Sequence, residues 1–182
     1  SGNATVVNDA GLNLAASTVG GALSATATTG NISDSGNLAI TGTSSFTTSA
    51  NNATITLNNT NALAGAVTIT TNDDSGTDAD VTLDNGTTAL ILAASTIDGD
   101  LTLTSGNNIT DSGTVTVGGN LLVTTDDNSG AINLGTLAVD GTVALATNRS
   151  GNATVVNDAG LNLAASTVGG NLAATAATGN MT

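Results

Sequence analysis

The chain has 182 residues, one Lys or Arg against fourteen Asp or Glu, a formal net charge of −13, and neither His nor Cys. Without those two residue types there is no conventional zinc, haem or iron–sulfur site and no Ser–His or Cys–His nucleophile. One Arg and one Phe cannot neutralise phosphates or stack bases, so nucleic acid is excluded as a partner, and the negative charge disfavours anionic membranes.

Only 8% of residues are charged and 39% are hydrophobic, and the apolar residues are patterned, so the chain is not read as disordered. In chain order, turn signals stand at Thr29-Gly30-Asn31 and Asp34-Ser35-Gly36-Asn37, followed by strict alternation over Thr54-Ile55-Thr56-Leu57 and Val67-Thr68-Ile69-Thr70. Alternation resumes at Val81-Thr82-Leu83 and Leu101-Thr102-Leu103-Thr104. Turns at Ser105-Gly106-Asn107-Asn108 and Asp111-Ser112-Gly113 lead to Val115-Thr116-Val117. Gly118-Gly119-Asn120 turns again, ahead of Val143-Ala144-Leu145. Period two with β-branched residues predicts half-buried strands, aliphatic side chains inward and threonines outward. The nearest approach to a helix, Leu161 to Ala165, is too short to stand alone, and no apolar run approaches the ~20 residues that span a bilayer, so neither helices nor membrane insertion are expected. Proline is absent, which leaves every strand N–H available for a ladder.

Self-similarity is the strongest signal. Ser1 to Gly21 recurs residue for residue as Ser150 to Gly170, an offset of 149 residues, and the likeness continues as ALSATATTGNIS against NLAATAATGNMT. The chain therefore reads as one continuous segment, 1-182, holding a long repeat, 1-149, and the start of the next copy, 150-182, in a tandem array. Inside it, an apolar residue, a glycine-bearing step and an apolar strand recur, with strand starts at Leu23, Phe46, Val67, Leu101, Leu121, Val143 and Leu172. These markers give about six coils of roughly 20 to 34 residues per long repeat, the pattern of an all-β parallel β-solenoid. Coils that stack at the strand spacing of ~4.8 Å would advance roughly 29 Å per long repeat. An antiparallel sandwich would instead carry two-residue hairpin turns and no near-identical long repeat. A single coil buries too little apolar surface to offset about 1–2 kcal/mol of backbone entropy per ordered residue. Open strand edges at both ends then call for further copies of the repeat stacked end to end, with lateral fibre partners as a second kind of contact.

The runs TGNISDSGNLAITGTSSFTT, NNATITLNNTNALAGAVTITT, LILAASTIDGDLTLTSGNNITDSGTVTVGGNLLVTT and LNLAASTVGGNLAATA resemble repeats of filamentous-haemagglutinin-like exoproteins of Gram-negative bacteria, which are commonly exported by two-partner secretion. The resemblance covers nearly the whole chain. It implies a right-handed parallel β-helix in a long fibre, an extracellular or bacterial cell-surface location, and a part in adhesion or biofilm. A host or surface receptor would be engaged only through regions outside this segment.

The acidic loop Asn72 to Asp80 supplies Asp73, Asp74, Asp78 and Asp80 as candidate calcium ligands. Its spacing is not that of an EF-hand or of a nonapeptide calcium repeat, so a solvated loop is the preferred reading and no cofactor other than Ca²⁺ is expected. Asp126-Asp127 is a weaker version. Paired carboxylates alone do not make a glycosidase where bases and aromatic sugar platforms are lacking, so the chain is not read as an enzyme. Thr-x-Thr pairs at 54/56, 68/70, 102/104 and 114/116 fall on different strands of the coil, which argues against ice binding. Sequons at Asn3, Asn31, Asn52, Asn58, Asn85, Asn108, Asn148, Asn152 and Asn180 follow largely from composition, and asparagines at turns are expected to stack in side-chain ladders. Phe46 is placed in the interior of one coil and Arg149 in a turn, where it offsets carboxylate repulsion. The functional expectation is a structural, non-catalytic rod serving as an adhesin stalk. A self-assembling filament or sheath without a separate tip is the alternative, and an ice-binding solenoid is a distant third.

Overall fold

The computed structural model describes residues 2–72 and 78–182. Over these residues the chain is all β without a helix: 22 short strands, paired in parallel, wind into a solenoid of about eight turns. A coil opens with a straight strand and continues with two shorter limbs on the next faces. In the second coil these are Leu23–Ala27, Ile32–Asp34 and Leu38–Ile40. Each lies on its counterpart in the coil before, Ala4–Asn8, Leu12–Leu14 and Ser17–Val19. Above them come Ser44–Thr48, Ile55–Leu57 and Ala62–Leu63.

The alternation explains the interior. Ile32, Ile55, Val81, Leu101, Leu121 and Val143 are successive register partners, and each is at most 1% exposed. Every such burial contributes about 1.5–3 kcal/mol, and the column is continuous because each coil covers the one below. Phe46 is fully buried as expected. Its register neighbours are Ala25 and Ile69, and the small Ala25 leaves room for the ring.

Polar residues hold the corners. Straight strands end in a buried hydroxyl that clamps the following turn: Thr48 Oγ1 donates to the Ala53 carbonyl (3.1 Å), Thr125 to Gly130 (2.7 Å) and Thr147 to Gly151 (2.8 Å). The last of these turns contains Arg149, which takes a left-handed φ of 54°. At the strand entries a ladder runs from backbone N–H to side-chain oxygen, with Asp80, Asp100 and Asn120 as successive acceptors. The Asp100 N–H donates to Asp80 Oδ1 (2.8 Å), the Asn120 N–H to Asp100 Oδ1 (2.6 Å) and the Thr142 N–H to Asn120 Oδ1 (2.9 Å). The glycine-bearing step stacks as well. A Cβ at Gly42 would stand 2.6 Å from the Gly21 carbonyl carbon, so the column at Gly21, Gly42 and Gly65 has no room for a side chain.

The coil count differs from the marker count. Ala4 pairs with Leu23, Leu23 with Ser44, Ser44 with Val67 and Val67 with Leu92. Within that last strand Leu90 pairs with Ile109, Ile109 with Ile132 and Ile132 with Ala153. Seven pairing steps thus join Ala4 to its copy, one more than the markers count. The reason is local. The straight strands Val81–Asp84 and Ala153–Asn157 lack the full marker: the sequence has Thr77 and Arg149 where the marker has its leading apolar residue, and only Ala153 is preceded by a glycine, Gly151. About seven coils advance roughly 33 Å per 149 residues.

Candidate functional site: the joint between repeats

At two places the stacking of like on like is broken. The straight strand Val81–Asp84 lies on the limb Ile55–Leu57, with Val81 opposite Ile55 and Leu83 opposite Leu57. The bent pair Leu90–Leu92 and Ser95–Ile97 then lies on the straight strand Val67–Thr70, with Leu92 opposite Val67 and Thr96 opposite Thr70. The coil pattern has turned by one face.

Such a turn opens two gaps in the backbone ladder. A straight strand laid over a bent pair cannot follow it onto the second limb, and a bent pair laid over a straight strand loses a rung at the bend. Buried N–H and C=O groups left unpaired are costly, and here side chains take the missing places. Asn85, fully buried, accepts from the Leu63 N–H at Oδ1 (2.8 Å) and donates from Nδ2 to the Leu63 carbonyl (3.2 Å). It also donates to the carbonyls of Thr88 (3.1 Å) and Ala89 (3.0 Å). A carboxamide presents donor and acceptor as a peptide group does, so Asn85 stands in for a strand residue. At the bend, the Ile69 N–H donates to Ser95 Oγ (3.0 Å), and Ser95 Oγ donates to the Ala93 carbonyl (2.9 Å).

The second joint repeats the first. Ala153–Asn157 lies on Ile132–Val139, whose register jumps between Leu134 and Leu137 at its bend. Asn157, 1% exposed, accepts from the Val139 N–H (2.8 Å) and donates to the carbonyls of Val139 (3.0 Å) and Gly160 (2.7 Å). Ser166 Oγ accepts from the Leu145 N–H (3.0 Å) and donates to the Ala164 carbonyl (2.9 Å). The arrangement carries strand register and rotation from one repeat to the next.

Sequence reasoning missed these residues. A signal was present: Leu12-Asn-Leu-Ala-Ala-Ser-Thr-Val19 recurs as Leu90-Ile-Leu-Ala-Ala-Ser-Thr-Ile97 and as Leu161 to Val168, each with an Asn nine or ten residues ahead of its Ser. Asn85 had counted only as a sequon, and its burial removes it from the surface.

Of the candidate calcium ligands, Asp73 and Asp74 lie outside the described residues. Asp78 is exposed, and its N–H donates to Asp98 Oδ2 (3.4 Å). Asp80 Oδ1 serves the entry ladder through the Asp100 N–H. Asp126 and Asp127 share a surface recess of about 310 Å³ with Asp84. Among the described residues no three carboxylates are grouped to hold a metal ion. The threonine pairs divide between faces, with Thr102 and Thr104 on one sheet and Thr68 and Thr70 on another. The register does align other hydroxyls on one face: Ser24 with Ser45 and Thr68, and Thr26 with Thr47 and Thr70.

No curated protein and no solved structure matches the chain. One family matches twice, over residues 1–70 and 78–145, so that the first match ends with the strand under the first joint and the second begins just before the strand that crosses it. Each match is three stacked coils led by an Asn–Ser pair, and the chain belongs to the family described as Repeats of unknown function (DUF5649).

Proposed function

We propose that this chain is a structural, non-catalytic segment of a giant secreted or cell-surface fibrous protein, forming a stiff extracellular rod that serves as an adhesin stalk in attachment or biofilm. The observation that carries this reading is the joint, built twice from the same residue types in the same geometry. A repeat that docks on its predecessor by a fixed joint extends in one dimension, and extension over distance is what a stalk provides. The resemblance to filamentous-haemagglutinin-like repeats supports the adhesin setting and a location outside the cell. The absence of His and Cys supports a role other than catalysis.

Cryo-electron microscopy of fibres on the source cells tests the reading. The expected result is a ~4.8 Å layer spacing with an advance near ~33 Å per 149 residues, in rods that end in a separate head. Uniform fibres without a head would make the rod itself the product. Compact particles without the layer spacing would end the rod reading.

A further inference from the structure

The edge formed by the first coil is half of a joint. Residues 2–21 repeat residues 151–170, so Asn8 and Ser17 stand where Asn157 and Ser166 stand in the second joint. Their local bonds are already made: Asn8 Nδ2 donates to the Gly11 carbonyl (2.6 Å), and Ser17 Oγ to that of Ala15 (2.8 Å). Asn157 and Ser166 make the same two bonds and, in addition, close on Val139 and Leu145 below them. Among the described residues Asn8 Oδ1 and the acceptor side of Ser17 have no such partner. The apolar residues agree. Val155 and Leu161 are at most 1% exposed on their coil, while Val6 and Leu12 are only partly buried.

We propose that this edge takes a second copy of the coil Ala131–Arg149, joined directly ahead of Ser1 as Arg149 is joined to Ser150, with Asn8 closing on the copy of Val139 and Ser17 on the copy of Leu145. The occupant is specified because the same twenty residues already sit on that coil once in this chain. The register is specified by the two side chains. A straight strand laid on a straight strand would leave no second limb for the Asn8 amide and no missing rung for Ser17. The inference rests on the reading of the chain as a segment of a repeat-built rod, and it adds that every joint turns the coil pattern by one face.

The test extends the full 182-residue chain with a copy of residues 131–149 ahead of Ser1 and follows side-chain amide exchange by NMR, with Asn157 as internal reference. In the unextended chain the Asn8 amide, held by Gly11 alone, exchanges much faster than that of Asn157. In the extended chain Asn8 slows by on the order of tenfold or more and approaches Asn157. Asn8→Ala then removes the rise in Tm brought by the extension, and it hardly moves the Tm of the unextended chain. A freely exchanging Asn8 beside an ordered extension would overturn the register and leave the rod reading standing. So would equal protection from a scrambled extension. Added residues that stay unprotected would overturn the proposal, and tandem copies that fail to lengthen the particle would count separately against the rod.

Discussion

Residues 2–21 and 151–170 are one sequence in two surroundings. On the later coil Ala153, Val155 and Leu161 are at most 1% exposed, and the Asn157 amide is closed on Val139 from both ends. At the edge Ala4, Val6 and Leu12 are only partly buried, and Asn8 keeps its bond to Gly11 alone. What both copies share is local: the straight strand, the Asn bond three residues on and the Ser bond two residues back. What differs is everything that depends on the coil beneath. Strand geometry and bend belong to the sequence of a single coil, whereas burial and long-range bonds belong to the stack.

Paired substitutions in the two copies can break that comparison. The largest contrast is expected for asparagine. Asn157→Ala leaves the Val139 N–H and carbonyl unpaired in the interior and should cost about 3 kcal/mol. Asn8→Ala should stay within about 0.5 kcal/mol. Urea denaturation gives both values, and exchange of the Val139 N–H locates the first. Equal costs would mean that the amide acts only through its local bond.

Valine comes next. Val155→Ala empties a fully buried site and should cost about 2 kcal/mol, with Val6→Ala about half that, read from the same titrations. For glycine, a Cβ at Gly151 would stand 3.0 Å from Thr147 Cβ and press on the Gly130 carbonyl, while nothing lies within 4 Å of one at Gly2. Gly151→Ala should therefore lower stability by about 1–2 kcal/mol and Gly2→Ala should be silent. The smallest effect sharpens the reading of the acidic loop. Calcium added to chelator-treated protein should leave Tm unchanged, because Asp80 Oδ1 is engaged by the Asp100 N–H. A saturable rise would restore the carboxylates of residues 73, 74, 78 and 80 as a site.

Much of this molecule was legible before its coordinates. Alternation named the inner columns, the glycine-bearing step named a corner, and Phe46 went where its size and solitude put it. The joint was not legible, for a physical reason. Asn85 and Asn157 act as substitute strand residues for Leu63 and Val139, 22 and 18 residues away, and their one local mark, the spacing to a Ser nine or ten residues on, takes its meaning only from the coil beneath. The coil count fell one short at the same places, because the entries to Val81–Asp84 and Ala153–Asn157 lack the apolar residue that opens the marker.

By itself the sequence determined that the chain is a stack of parallel strands, because a period of two and near-identical repeats leave apolar faces that only further copies can cover. Which face each strand occupies was decided by the tertiary structure alone. LSATA at Leu23–Ala27 and LTLTS at Leu101–Ser105 follow the same pattern, yet they lie in different sheets. Strand pairing satisfies the backbone on any face, so local pattern cannot choose among them. The choice is made where a buried amide and a hydroxyl, contributed by the next coil, fill the gaps that one particular rotation leaves.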